Sequence, residues 1–309
     1  MKKQVQSSQR SESWTVLRLI RWTTKYLTEK GVKKARLDAE VLLADLLGLT
    51  RVDLYLNYDR PLIPSELAAF KERVRRRAVF EPVAYITGHK EFYSLDLKVT
   101  PEVLIPRPET ELLVEEALKI AQKRLTETED SEMEPFRVVD LGTGSGAIAI
   151  TLACHLQQAV IWALDISKSA LNVARSNAEQ HDLNARINFM QGDLLDPLKD
   201  QIDCFDLIAA NLPYVPWSAF DGMDPDVKDF EPRLALDGGE DGLDLIKKAI
   251  AQAAPLLKSK GALLLEIWPT QVSRIREAGE AFGYGQVNVC KDLAGHYRLA
   301  ILMKNNPGG

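Results

Sequence analysis

The feature that most constrains this chain is a strand that runs into a glycine-rich turn and then straight into a helix: residues 138–146 read VVDLGTGSG. Glycines let a backbone take positive φ and come close to a ligand, and the first turn of the next helix offers unpaired N–H groups. Around this turn the hydrophobic pattern alternates between strand and helix. Strands are expected over 137–141, 159–164, 186–190, 205–210, 261–267, 285–291 and 297–303, and helices over 146–156, 167–180, 242–258 and 270–282. Strands separated by helical segments imply a mainly parallel sheet covered on both faces, an α/β fold of Rossmann-like type with seven strands.

Upstream the texture differs. Apolar positions recur every three or four residues over 14–27, 37–47, 52–56 and 64–79, with Gly31, Gly48, Pro61 and Pro64 at the breaks. A small all-helical domain is expected there. From Pro82 to Pro108, Phe92, Tyr93, Leu95, Leu97 and Val99 alternate in strand fashion, so this stretch reads as a hairpin linker, followed by a helix over 111–125 and an acidic, solvated loop over 126–134. The expected division is 1–86, 87–108 and 109–309.

A glycine-rich strand-turn-helix element alone leaves three readings open: S-adenosylmethionine, a dinucleotide or a plain turn. Two further acids narrow the choice. Asp165 ends the second strand, where a carboxylate accepts ribose hydroxyls, and Asp193 follows the third, placed to meet an adenine amino group. Asp140, Gly142, Thr143, Gly144, Ser145, Gly146, Asp165, Asp193 and Leu194 thus form a candidate site that resembles that of class I S-adenosylmethionine-dependent methyltransferases.

The fourth strand delivers Asn211, Leu212, Pro213 and Tyr214 to the carboxyl edge of the sheet, where open α/β folds bind ligands. The tetrapeptide resembles the (N/D)-P-P-Y motif of enzymes that methylate planar amide or amino nitrogens. Such a nitrogen is a poor nucleophile because its lone pair is delocalised. The Asn211 side-chain carbonyl and the Leu212 backbone carbonyl are placed to accept its two N–H groups as charge develops, Pro213 fixes the turn, and the Tyr214 ring is expected to pack on the amide face. Asn211 also belongs to the expected cofactor contacts. In-line proximity supplies much of the acceleration, so no general base is required.

Composition excludes several classes. Hydrophobic residues make up 46% and charged residues 27%, and no apolar run reaches the ~18 residues that span a bilayer. Lys2 and Lys3 precede polar Gln4, Gln6, Ser7 and Ser8 rather than an apolar stretch, so a signal peptide is not expected and a cytoplasmic location is. Cys154, Cys204 and Cys290 are odd in number and far apart, and the histidines lack ligand spacing, so neither disulfides nor a metal is expected. The net charge of −5 hides an asymmetry: residues 1–88 carry 17 Lys and Arg against 10 Asp and Glu, an excess of +7, which leaves −12 on the remainder. The basic run 71–77, KERVRRR, reads first as a solvated helix face and second as a docking surface.

Taken together, the motifs resemble the release-factor glutamine methyltransferases, the HemK/PrmC family, over residues 35–300. The resemblance is carried by YITG with KEFY at 85–93, VLIPRPETE at 103–111, NLPY, EPRLAL at 231–236, GGEDGL at 238–243, LLLEI at 263–267 and DLAG at 292–295. It implies methyl transfer from S-adenosylmethionine, leaving S-adenosylhomocysteine, to the glutamine amide in the Gly-Gly-Gln motif of translation release factors. It also implies an N-terminal domain that helps to dock this protein substrate, and a monomer is the expected form. Three positions depart from the family pattern: Leu212 replaces a proline, Leu194 stands where an aromatic residue can occur, and Trp268-Pro269 replaces a glycine-containing turn.

Two rival functions remain. An adenine-N6 nucleic-acid methyltransferase shares the amide chemistry, but the −12 lobe would repel phosphates, and no direct nucleic-acid substrate is expected. A non-catalytic translation adaptor would not need the intact Asp140, Asp165, Asn211, Pro213 and Tyr214.

Overall fold

The computed structural model describes residues 13–127 and 134–305. The N-terminal polar run and most of the acidic loop, both read above from sequence, lie outside the described residues. The chain divides into two units, Met1–Thr87 and Gly88–Gly309.

The first unit consists of α1 (Val16–Glu29), α2 (Ala35–Leu47), α3 (Arg51–Leu56), α4 (Pro64–Arg77) and α5 (Val83–Thr87). Its helix ends follow the local chemistry. Thr50 and Asp53 form a reciprocal cap on α3, with Thr50 N donating to Asp53 Oδ2 at 3.0 Å and Asp53 N to Thr50 Oγ1 at 3.1 Å. Gly48 closes α2 in the left-handed region at φ 63°. Leu27, Leu42, Leu43, Leu54 and Phe70 are fully buried together. The basic run is not a uniform solvated face. Arg77 is buried against Asp38 at 2.7 Å, Arg73 pairs with Asp45, and Arg76 with Glu81, whereas Arg75 keeps 75% of its side chain exposed. Three of the four arginines therefore hold this unit together.

The second unit opens with a hairpin, β1 (His89–Phe92) and β2 (Leu95–Lys98), shorter than the segment read as extended. Residues 83–87 are helical instead, because Tyr85 and Ile86 donate their N–H groups back to the Pro82 carbonyl. Tyr93 and Ser94 form the turn with φ of 50° and 63°, a left-handed pair made without glycine.

After α6 (Thr110–Glu127), the chain alternates through β3 (Phe136–Leu141), α7 (Ala147–His155), β4 (Ala159–Asp165), α8 (Lys168–Gln180), β5 (Ile187–Gln191) and β6 (Phe205–Ala210). It continues through α9 (Pro225–Lys228), α10 (Asp244–Leu256), β7 (Leu257–Glu266), α11 (Val272–Ala281), β8 (Tyr284–Lys291) and β9 (Tyr297–Lys304). Seven strands form one sheet in the order β5-β4-β3-β6-β7-β9-β8. The five from β5 to β7 are parallel, and β9 lies antiparallel to both β7 and β8. Period-two alternation sends Val138, Leu207 and Leu264 to one core and Val139, Ile208 and Leu263 to another, so apolar layers cover both faces. β7 begins earlier than its sequence pattern suggested. Pro255 sits in the last turn of α10, and Leu257 is already extended.

No helix among the described residues is long and apolar enough to cross a membrane. The hairpin is tied to this sheet unit by Asn177 of α8, which is fully buried. Its Oδ1 accepts from Lys98 N at 2.8 Å, and its Nδ2 donates to Lys98 O at 2.9 Å and to Ser145 O at 2.8 Å.

Candidate active site

At the carboxyl edge of β3, β4 and β6 lies a cavity of about 330 Å³ lined by Gly142, Thr143, Gly144, Ser145, Asp165, Asp193, Leu194, Asn211, Leu212 and Pro213. Most of the predicted site residues thus meet around one space. The exceptions are informative. Asp140, Gly146 and Tyr214 do not line it.

Asp140 is buried behind the loop and shapes it. Its Oδ2 accepts from Thr143 Oγ1 at 2.6 Å and from Ala149 N at 3.0 Å, and Oδ1 has no hydrogen-bond partner among the described residues. Burial pushes its carboxyl up to about 7, against the pull of those two bonds. Gly142 and Gly146 both need positive φ, at 73° and 84°. A Cβ on Gly142 would stand 3.2 Å from Leu212 Cδ2 and 3.8 Å from Asn211 O, so the loop and the NLPY turn lie close together.

Asp165 braces the loop from the next strand. Its Oδ2 accepts from Gly144 N at 2.9 Å and its Oδ1 from Ser167 N at 2.9 Å, each oxygen retaining a lone pair, while burial raises its carboxyl above the usual range. Asp193 is exposed on the cavity rim, and Leu194 is buried with φ 46°, an aliphatic wall in a strained backbone.

Asn211 is held by residues outside the glycine loop and the NLPY motif. Its Nδ2 donates to Thr110 Oγ1 at 3.0 Å; Thr110 Oγ1 donates to Glu266 Oε2 at 2.7 Å; and Tyr214 OH donates to Glu266 Oε1 at 2.9 Å. Glu266 is 2% exposed, and burial shifts its carboxyl upward while the two hydroxyls and Arg298 oppose the shift. Tyr214 lies beside the cavity rather than in its lining. Its hydroxyl is committed to Glu266, its ring packs on Trp268 with centroids 6.0 Å apart, and burial beside Glu266 drives its pKa upward.

The turn itself is clamped by Gln271, which is 3% exposed and donates from Nε2 to Tyr214 O at 3.1 Å and Gly242 O at 2.9 Å. Trp268 N in turn donates to Gln271 Oε1 at 2.9 Å, so the backbone after β7 orients this clamp. Arg107, also in the cavity lining, pairs with buried Glu231 at 2.5 Å, joining the PRPET and EPRL segments. Thr110, Arg107, Glu231 and Glu266 all lie in motifs quoted above. A carboxylate inside the apolar run LLLEI was the signal available for Glu266.

A seven-stranded sheet in this order, with a glycine loop after its first parallel strand and Asn-Leu-Pro-Tyr after its fourth, defines a class I methyltransferase. A methyltransferase-domain family model matches residues 133–268, and a PrmC N-terminal-domain model matches residues 18–88. Among solved structures, the human Mettl16 catalytic domain in complex with an RNA hairpin superposes with a TM-score of 0.52 at 16% identity, covering 79% of this chain and 83% of that one, which speaks to the fold.

The family follows from closer relatives. The chain is 40% identical to the release factor glutamine methyltransferase of Rhodopirellula baltica, over 94% of this chain and 97% of the relative. It is 45% identical to that of Geobacter sulfurreducens, over 84% and 86%. The chain belongs to the release factor glutamine methyltransferases.

Proposed function

We propose that this protein transfers a methyl group from S-adenosylmethionine to the side-chain amide nitrogen of the Gly-Gly-Gln glutamine in translation release factors, in the cytoplasm, releasing S-adenosylhomocysteine. The observation that carries this reading is that the glycine loop and the Asn211-Leu212 acceptor pair line one cavity, so close together that a Cβ on Gly142 would stand 3.2 Å from Leu212 Cδ2.

The residues present fit the cofactor. The Gly142 cradle holds a positive φ with only a tight fit for a Cβ beside Leu212, Asp165 keeps lone pairs for ribose hydroxyls, and the Asp193 rim carboxylate suits an adenine amino group beside the apolar Leu194. When bound, the cofactor supplies a methyl group on a sulfonium, a good leaving group. The protein's part is alignment and electrostatics: Asn211 Oδ1 and the Leu212 carbonyl accept the two amide protons, and their partial negative charge matches the charge growing on the nitrogen. Pro213 limits the turn to one geometry, and Tyr214 and Thr110 act through Glu266 rather than on the substrate.

The helical unit is proposed to dock the release factor, its excess of positive charge favouring an acidic partner surface. Of the basic run, Lys71 and Arg75 are the exposed residues for that role. The −12 on the rest of the chain supports a protein rather than a nucleic-acid acceptor. Incubation with labelled S-adenosylmethionine tests the reading: a release factor is expected to become labelled, and transfer that persists after its Gly-Gly-Gln glutamine is replaced would contradict it.

A further inference from the structure

We infer that Glu266, acting through Thr110, fixes which end of the Asn211 carboxamide faces the substrate. This inference rests on the proposed role of Asn211 as an acceptor of substrate amide protons.

It follows from counting protons. Glu266 is the acceptor in both of its side-chain hydrogen bonds: its two oxygens take the hydroxyl protons of Tyr214 at 2.9 Å and Thr110 at 2.7 Å. Thr110 has a single hydroxyl proton. Once that proton points at Glu266, Oγ1 has only lone pairs to offer to Asn211, 3.0 Å away. Asn211 must then meet it with its NH₂ group, leaving Oδ1 for the cavity. A turned carboxamide would set oxygen against oxygen at Thr110 and present NH₂ to the NH₂ of an incoming glutamine, so both contacts would be lost together.

The arrangement is protected from substitution by water, since Thr110 is 4% and Glu266 2% exposed. It also explains why a carboxylate is tolerated at the buried end of an apolar strand. Each of its oxygens is satisfied, and the run of hydrogen bonds from Asn211 through Thr110 is polarised in the direction that strengthens the Oδ1 acceptor. Thr110 and Glu266 are positioning residues: they come from α6 and β7, and the residue they orient comes from the end of β6.

The test combines a spectroscopic signature with kinetics in the full-length protein. With ¹⁵N-asparagine labelling, the Asn211 side-chain amide resonances are identified by their loss in Asn211→Ala, and their hydrogen exchange is measured. Exchange should accelerate about tenfold or more in Thr110→Val and stay near wild type in Thr110→Ser. With a release factor as substrate, kcat should fall about tenfold to a hundredfold in Thr110→Val and in Glu266→Gln, which mimics the protonated acid and frees the Thr110 proton to turn toward Asn211. Calorimetric affinity for S-adenosylmethionine should stay within about twofold of wild type in both variants, and Thr110→Ser should recover most of kcat. Unchanged exchange in Thr110→Val overturns the inference, as does a loss of kcat that Thr110→Ser does not rescue. A wild-type protein that methylates no release factor would instead defeat the functional reading, and the exchange measurement would then decide the orientation by itself.

Discussion

Gln271 Nε2 donates to the carbonyl oxygen of Tyr214 across 3.1 Å, and so fastens the last residue of the NLPY turn to the segment that follows β7. The same nitrogen serves Gly242 O at 2.9 Å, and a Cβ on Gly242 would stand 2.3 Å from Tyr214 O. Gln271→Ala leaves two buried carbonyls without a donor. A loss of about 2 kcal/mol in stability is expected, together with a lower kcat, because the turn that aims Asn211 is loosened. Urea denaturation of the variant checks this, and an unchanged midpoint and slope would refute it.

Gly142→Ala places a Cβ at positive φ, 3.2 Å from Leu212 Cδ2. The strain is expected to cost about 1 kcal/mol. Because loop and acceptor turn move apart together, affinity for S-adenosylmethionine should fall roughly tenfold, equivalent to about 1.4 kcal/mol. Isothermal calorimetry measures it; wild-type affinity would show that the close approach is unimportant.

Asp140 carries a pH signature. Its folded value is pushed up to about 7 by burial, above the ordinary carboxylate value of 3.8, so the folded state holds a proton that the unfolded state releases over that window. The stabilisation is complete below the unfolded value and is lost as pH rises toward about 7. The melting temperature of ligand-free wild type relative to Asp140→Asn should therefore decline between about pH 4 and 7 and then level off. A difference that stays flat across this range would refute the assignment.

Arg107, which lines the cavity, pairs with Glu231 behind it, Glu231 being 1% exposed and also accepting from Ile105 N at 3.3 Å. Arg107→Ala strands a buried carboxylate, and a destabilisation of about 3 kcal/mol is expected. The double variant Arg107→Met, Glu231→Gln removes the charge and should regain more than half of that. Chemical denaturation of the three proteins decides the point: equal stability of the single and double variants would show that the stranded charge is not the cause.

The sheet and the cofactor loop were legible because their signals are local. Val138 and Val139 announce a strand buried on both faces, and Gly142, Gly144 and Gly146 announce the turn within a few residues. The hairpin was legible only in its alternation: Tyr93 and Ser94 take left-handed φ without the glycine or asparagine that normally marks such a turn. Residues 83–87 share their apolar content with a strand, and only their hydrogen bonds to Pro82 make them helical. At the site, Asn211 and Leu212 were visible as a motif, whereas the Thr110–Glu266 bond spans 156 positions and has no local pattern. The partner of the Tyr214 hydroxyl was hidden for the same reason, since Glu266 lies 52 positions away. Arg77 shows the limit of reading charge from a run, because its neighbours on the helix say nothing of Asp38, 39 positions earlier.

The most direct test of the central claim is to locate the methyl group. Fragment-ion mass spectrometry of a release factor incubated with this protein and S-adenosylmethionine should place one added methyl group on the side-chain nitrogen of the Gly-Gly-Gln glutamine. With Asn211→Ala that product should drop roughly a hundredfold or more. A methyl group found on another residue, or on an adenine of added nucleic acid while the glutamine stays unmodified, would contradict the account.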